Sequence, residues 1–317
     1  MSGAFLAHGL TLALAWFFIV NAAMCVAAGF LTAALLRGSS RRSATFWIAL
    51  RLLPATTAIA FVAAVFVPSY LAYEPREFVE GFDASLAAVA IAGAAILVAG
   101  CWRGAQAWWS AAGRTSAWMR HASPLAIGGA LPAYAIDVDQ PLIALVGVLR
   151  PRLLVTRGLI DALTPSELEA AVGHEFGHLR GRDNLKRLAM RAAPDLLAGW
   201  SCFRSVERRW AAAAEHVADR IGCGDAAARC ALASALVKVA RLTPPSLPVA
   251  EPISALIAGG DIASRIRTLL DDGDAGFEHA SRASRWLASA AAIGAAAGYT
   301  PLLLAVHEVT ELIVRTL

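Results

Sequence analysis

Charge is what this 317-residue sequence has least of. Asp, Glu, Lys and Arg make up 16% of it, against about 25% in an average soluble chain. A water-soluble globule of this size needs more polar surface than that, so an ordinary soluble protein is excluded. Cysteine is also scarce: five residues are too few for a disulfide scaffold. A disordered chain is excluded by the 58% hydrophobic content and a mean hydropathy of +0.58, which no unfolded segment sustains. No zinc-finger, RRM or homeodomain pattern occurs and the arginines are scattered, so nucleic acid is not an expected partner despite the net charge of +4.

What the sequence has instead is apolar length. Ala4 to Leu36, Leu52 to Tyr73, Ala84 to Trp102 and Trp286 to Val306 contain no Lys, Arg, Asp or Glu. Each meets the roughly 20-residue requirement for crossing a hydrocarbon core. A cleaved signal is not expected, because residues 1 to 7 lack a positive n-region and no polar mature domain follows the first run. Short cytoplasmic loops carry the Lys/Arg excess. Arg37, Arg41 and Arg42 therefore place the first loop inside, the acidic Glu74 to Asp83 loop outside, and the segment after Arg103 inside. Arg51, near the start of the second span, is expected to snorkel to the cytoplasmic interface.

The expected fold is mainly α and integral to the membrane: four transmembrane helices plus an α+β cytoplasmic domain. Residues 1–103 hold three spans (about 8–36, 52–73 and 84–102), 104–283 the cytoplasmic domain, and 284–317 the fourth span and a short tail. The location is the inner (cytoplasmic) membrane, multi-pass, with both termini outside. Cys25 and Cys101 lie in or beside spans, and Cys202, Cys223 and Cys230 read as free thiols in a reducing compartment.

Within the cytoplasmic segment, Pro132 to Val138, Leu142 to Val148 and Arg152 to Val155 read as strands, separated by Asp139-Gln140-Pro141 and Leu149-Arg150-Pro151. Thr164, Pro165 and Glu167 form a capping-box signature for a helix from about 165 to 180. Further helices are expected over Arg182 to Ala193, Ser205 to Ile221, Asp225 to Leu242 and Ile262 to Leu270, with a proline-rich linker from Thr243 to Pro248.

The capped helix carries His174-Glu175-Phe176-Gly177-His178. Residues four apart share a helical face, so both imidazoles can reach one metal ion with Glu175 beside them, the zinc-peptidase pattern. Catalytic zinc takes three protein ligands and one open position. Glu215 is the best third ligand. Asp219, one turn on, can accept the free ring N–H of a bound histidine and fix its tautomer. Glu207 and His216 are rivals: Glu207 has no acid four residues later, and His216 points about 100° away from the Glu215 face. His8, His121, His279 and His307 have no partners at ligand spacing and read as structural or interfacial.

Arg150 to Val155, Gly158 to Ile160, Leu163 to Ala170, His174 to His178 and Glu215 to Arg220 together resemble the integral-membrane gluzincin metallopeptidases of families M48 and M56, with a weaker likeness at Ser264 to Leu270. The span layout and the His178 to Glu215 spacing favour M56, the β-lactam-sensing receptor peptidases. The wording at Glu215 to Arg220 is closer to M48, the membrane quality-control and CAAX-processing proteases. The resemblance implies a zincin-like domain with Zn2+ on His174, His178 and Glu215, Glu175 as general base and acid, and Asp219 behind a ligand. Only about ten residues follow Val306, so a C-terminal penicillin-binding sensor is not expected.

The expected function is a zinc-dependent endopeptidase in regulated proteolysis or signalling, with M48-like quality control, or a scaffold keeping a structural metal, as alternatives. Its partners are a protein or peptide substrate, the lipid bilayer and a regulatory membrane or cytoplasmic protein. An extended substrate is expected to add to Leu142 to Val148 as a sheet edge, with Ile143, Leu145 and Gly147 as the contacts.

Overall fold

The structure, a computed structural model, describes residues 3–37, 42–75, 84–127, 131–196, 201–242, 254–255, 262–271 and 299–316. Three helices among them are long and apolar enough to cross a membrane: α1 (Gly3–Leu36), a continuous helix Ala44–Tyr73, and one spanning Ala84–Met119. The middle one consists of α2 (Ala44–Phe61) and α3 (Val67–Tyr73), joined by a π-helical turn at Val62–Phe66. Pro68 accounts for the turn, since it has no N–H and its ring would strike the carbonyl four residues back. That carbonyl, of Ala64, accepts a hydrogen bond from the Tyr299 hydroxyl at 2.6 Å instead. α1 packs on α2 and on α4 (Ala84–Met119). Phe30, Ile91 and Val98 face outward from these helices, where hydrocarbon accepts side chains that water would not.

α4 runs on past the expected end of the third span and through the boundary between residues 103 and 104. Its last turn explains why: Trp118 and Met119 cover one face of a sheet, over Ile136, Ala144, Val146 and Leu154. The sheet comprises β1 (Ala122–Pro124), β2 (Ala133–Ile136), β3 (Ile143–Val146), β4 (Arg152–Thr156) and β5 (Ser254–Ala255), in the order β1-β2-β4-β3-β5. β2 and β4 are parallel and the other pairs antiparallel.

The opposite face is closed by helices. Ile143, Leu153 and Val155 pack with Leu159 of α5 (Arg157–Ala162), Ala171 of α6 (Pro165–Gly181) and Leu232 and Leu236 of a later helix. Burial on both faces explains why β3 reads Ile-Ala-Leu-Val with no polar alternation. After α6 come α7 (Asp183–Ala192), α8 (Ser201–Gly222), α9 (Ala226–Leu242) and α10 (Ile262–Leu270).

Two expectations are corrected here. β3 is not the sheet edge: β5 pairs with it, Ala255 opposite Ala144 and Ser254 opposite Leu145. Ile143 and Leu145 therefore lie inside a five-stranded sheet, and Gly147 follows the strand at φ 88°. Nor does Arg51 snorkel. It is buried, with Nη1 2.6 Å from Asp195, Nε 2.8 Å from Glu207 and Nη2 3.0 Å from the Met190 carbonyl. This network ties α2 to α8, beside Trp47, Phe203 and Trp210.

The expected fourth span falls largely on residues 272–298, outside the described residues. From Tyr299 to Thr316 the chain is helix α11, packed on α3 and the π turn. Ser69 Oγ donates to the Leu303 carbonyl at 2.7 Å and Trp16 Nε1 to Thr310 Oγ1 at 3.0 Å.

Candidate metal centre

α6 begins as its sequence dictates. Thr164 Oγ1 accepts from the Glu167 N–H, the Glu167 carboxylate accepts from the Thr164 N–H at 2.8 Å, and Pro165 opens the first turn. This fixes which face of α6 turns inward, and His174, Glu175 and His178 are all buried on it.

The crossing of α6 over α8 is made by residues with almost no side chain. A methyl group at Gly177 would sit 2.6 Å from Ala218 Cα, and one at Gly173 2.7 Å from the Gly222 carbonyl. Two helices that close bring their backbones into contact, so short acidic side chains on one reach imidazoles on the other. His174 Nε2 and His178 Nε2 lie 3.1 Å apart. The Glu215 carboxylate is 3.4 Å from the first and 3.6 Å from the second.

Each imidazole is held from behind. His174 Nδ1 is 2.8 Å from Asp219 and His178 Nδ1 2.7 Å from Asp183. Asp183 reaches back because Arg182 adopts a left-handed conformation, φ 52°, that turns the chain between α6 and α7. Asp219 is gripped by Arg265 of α10, Nη2 to Oδ1 at 2.6 Å and Nε to Oδ2 at 3.0 Å, while Arg265 Nη1 lies 3.0 Å from Glu215. Leu145 N–H donates to Glu175 Oε2 at 3.1 Å, and Asn184 Nδ2 donates to the Leu145 and Gly147 carbonyls. The strand β3 is thus tied to α6 and to α7.

The electrostatics call for a cation. Burial, helped by the Glu215 charge, pushes the Glu175 carboxyl up, to about 7, against the opposing pull of His178 and His174. Burial works against a charged His178 ring, but Asp183 and Glu215 outweigh it and raise its pKa to about 10; Asp219 and Glu215 raise His174 in the same way. Burial likewise opposes the Glu215 anion, yet the two imidazoles hold its pKa well below the ordinary range. Four buried acids, Asp183, Glu175, Glu215 and Asp219, face one buried guanidinium. Neither Glu215 oxygen, nor Glu175 Oε1, makes a hydrogen bond with the described residues; Arg265 lies close to Glu215 without the geometry of one. Two ring nitrogens and a carboxylate whose oxygens have no hydrogen-bond donor converge on one point, the donor set of a divalent metal.

The structure brings together every expected ligand: His174, His178 and Glu215 form one buried group able to hold a metal, with Glu175 and Asp219 beside it. The rivals fall elsewhere, Glu207 on Arg51 and His216 off the buried Glu215 face. Sequence reasoning missed Asp183, Asn184, Arg265 and the glycines. The available signals were the acid at the start of the next helix and the small-residue spacing Gly173-x-x-x-Gly177 facing Ala218 and Gly222.

A buried His-His-Glu centre with an adjacent glutamate, in a chain with membrane-length apolar helices, defines a membrane-type metallopeptidase. Comparison with known proteins agrees. Residues 132–289, just under half of the chain, match the model of Peptidase family M48. The protease HtpX homolog of Thermoplasma acidophilum is 40% identical over 79 residues, 24% of this chain and 25% of that protein. The protease HtpX homolog of Moorella thermoacetica is 39% identical over 59 residues, 15% of this chain and 20% of that protein. The matched part spans a quarter or less of the length of these curated relatives. The chain is similar to the metallopeptidases of family M48, the family whose wording Glu215 to Arg220 follows.

Proposed function

We propose that the chain is a zinc-dependent membrane endopeptidase of the M48 kind, hydrolysing peptide bonds of membrane or membrane-proximal proteins. The observation that carries this is the convergence of His174 Nε2, His178 Nε2 and the Glu215 carboxylate within 3.1 to 3.6 Å, with Glu175 on the same buried face. His174, His178 and Glu215 would hold the zinc, which would supply a bound water with pKa lowered towards about 7 and polarise the scissile carbonyl. Glu175, buried beside the three ligands, would take the proton of the attacking water and deliver it to the leaving amine. Asp219 and Asp183 keep both imidazoles oriented, and Arg265 keeps Asp219 in place.

Substrate that binds as an added strand along β3 has to take the position of β5. A segment of the chain lying in that position favours a second reading, regulated proteolysis in signalling, with the resting enzyme released by a membrane or cytoplasmic partner. The arginine distribution supports a cytoplasmic peptidase domain in the inner membrane, with both termini outside. An impermeant thiol reagent should then label the exposed Cys230 in inside-out vesicles and leave it unlabelled in intact cells.

Purified protein in detergent, incubated with a casein-like substrate, tests the activity against a Glu175→Ala control. Zinc present in both and cleavage by neither would sink the enzyme reading and leave a structural metal. Broad degradation supports the quality-control role, and cleavage of one co-purifying protein supports signalling.

A further inference from the structure

Two histidines without a ligand-spaced partner in the sequence, His8 and His307, both approach Glu74 in space. They do so at the end of the spans remote from the metal centre. α1 touches the peptidase part at Asn21, whose Nδ2 donates to the Pro194 carbonyl at 2.8 Å. His8 lies thirteen residues earlier in the same helix, about 20 Å away at 1.5 Å per residue.

Glu74, His307 and Glu311 each offer a ligand atom within 4.8 Å of the others. His307 and Glu311 are one turn apart on α11. His307 Nδ1 is 3.8 Å from Glu74 Oε2, and His8 Nε2 is 4.0 Å from Glu74 Oε1. A charge-assisted hydrogen bond would close such pairs to about 2.7–2.9 Å. Donors sharing a cation at metal–ligand distances near 2.1 Å stand about 3.3–4.2 Å apart instead. The metal centre of the same chain offers an internal standard: its histidine–glutamate separations are 3.4 and 3.6 Å.

The backbones carrying these groups are fixed. Glu74 N–H donates to the Tyr70 carbonyl at 3.0 Å where α3 ends. α11 is pinned on both sides of His307, at Leu303 by Ser69 and at Thr310 by Trp16. The His307 ring also packs against Tyr73, centroids 5.8 Å apart. Ionisable groups gathered in or beside membrane helices are costly to keep there without a function.

We propose that Glu74, His307 and Glu311 form a second divalent-metal site that clamps α11 to α3. Imidazole with two carboxylates and no thiolate suits Zn2+ or Mn2+. The site is independent of the peptidase reading.

The test is metal content per chain of the full-length protein in detergent, stripped with chelator, reloaded with Zn2+ or Mn2+ and freed of excess. Wild type should hold two ions, His174→Ala/His178→Ala one, and His307→Ala/Glu311→Gln one. Glu74→Gln, which leaves the helices untouched, should also hold one, which guards against a fold defect in the double variant. Wild-type content in both Glu74→Gln and His307→Ala/Glu311→Gln overturns the proposal. Wild-type content in His174→Ala/His178→Ala instead overturns the peptidase metal centre, so the two failures are distinguishable.

Discussion

The two halves of α8 solve opposite packing problems. Its first half meets α2 through bulky groups, Phe203, Val206 and Trp210 against Trp47 and Leu50, with Arg51 bridging to Glu207 and Asp195. Its second half meets α6 through Ala218 and Gly222 against Gly177 and Gly173, with backbones nearly touching. A contact between large side chains keeps helices apart and can redistribute volume among rotamers. A contact between backbones has nothing to move. The membrane-facing half is therefore an anchor, and the metal-facing half a gauge that sets where Glu215 and Asp219 stand. One continuous helix carries both.

Breaking the gauge should have the largest effect. Gly177→Val puts a branched side chain where even a methyl would lie 2.6 Å from Ala218 Cα. Glu215 should be displaced from both histidines, with loss of stoichiometric metal and of all peptidase activity. Metal analysis of the purified variant checks it, and a fully loaded, active Gly177→Val protein would show that the close approach is dispensable.

The anchor comes next. Arg51→Met leaves Asp195 and Glu207 facing a buried thioether, and breaking a buried pair from one side costs about 3–5 kcal/mol. Its thermal midpoint in detergent should fall. Adding Asp195→Asn and Glu207→Gln to the same protein should restore most of the loss, because the damage lies in the stranded acids rather than in missing attraction.

The contrast between the two halves also marks what could be read from the sequence. The start of α6 was legible because Thr164, Pro165 and Glu167 act within one turn. Glu215 and Asp219 were legible because four-residue spacing survives translation into any helix. Asp183 was not, since its reach to His178 depends on a left-handed Arg182, a conformation no residue type there announces. Arg265 comes from a helix 46 positions beyond Asp219, with no local pattern connecting them. The burial of Arg51 was misread because a basic residue near a span end ordinarily finds water, and here two acids from other helices replace it. β5 is two residues long, below any periodic signal, yet it changes β3 from edge to interior.

A third prediction concerns acid and separates the α6 cap from the anchor. Burial would raise the Glu167 carboxyl, but Lys238 Nζ at 2.7 Å, Ser234 Oγ at 2.6 Å and Thr164 N–H at 2.8 Å hold the anion and lower its pKa to about 2. A depressed carboxylate pKa contributes stability that is present above the unfolded value near 4.5 and lost as pH falls towards 2. The shift corresponds to at most about 3 kcal/mol over that window, reduced by solvent screening at the part-exposed Lys238. Glu167→Gln should flatten the fall in unfolding midpoint between pH 4.5 and 2, whereas Arg51→Met should leave the contribution of Glu167 in place. An unchanged acid profile in Glu167→Gln would move the acid sensitivity elsewhere.

The smallest effect tests how much of the metal centre belongs to α8 at all. Asp183 supports His178 from the α6–α7 turn, while Asp219 supports His174 from the metal-facing half of α8 and is itself held by Arg265. Asp183→Asn keeps the shape and weakens only the acceptor behind one ligand. Loss of such a partner costs about 10- to 100-fold in metal affinity, measurable by competition with a chromophoric chelator. Asp219→Asn removes the same kind of support but also frees Arg265, whose Nη1 already lies 3.0 Å from Glu215 and then competes with the metal for that carboxylate. Its loss should therefore exceed that of Asp183→Asn. Equal losses would mean that the two acids act only by orienting imidazoles, and that Arg265 is a bystander to the metal.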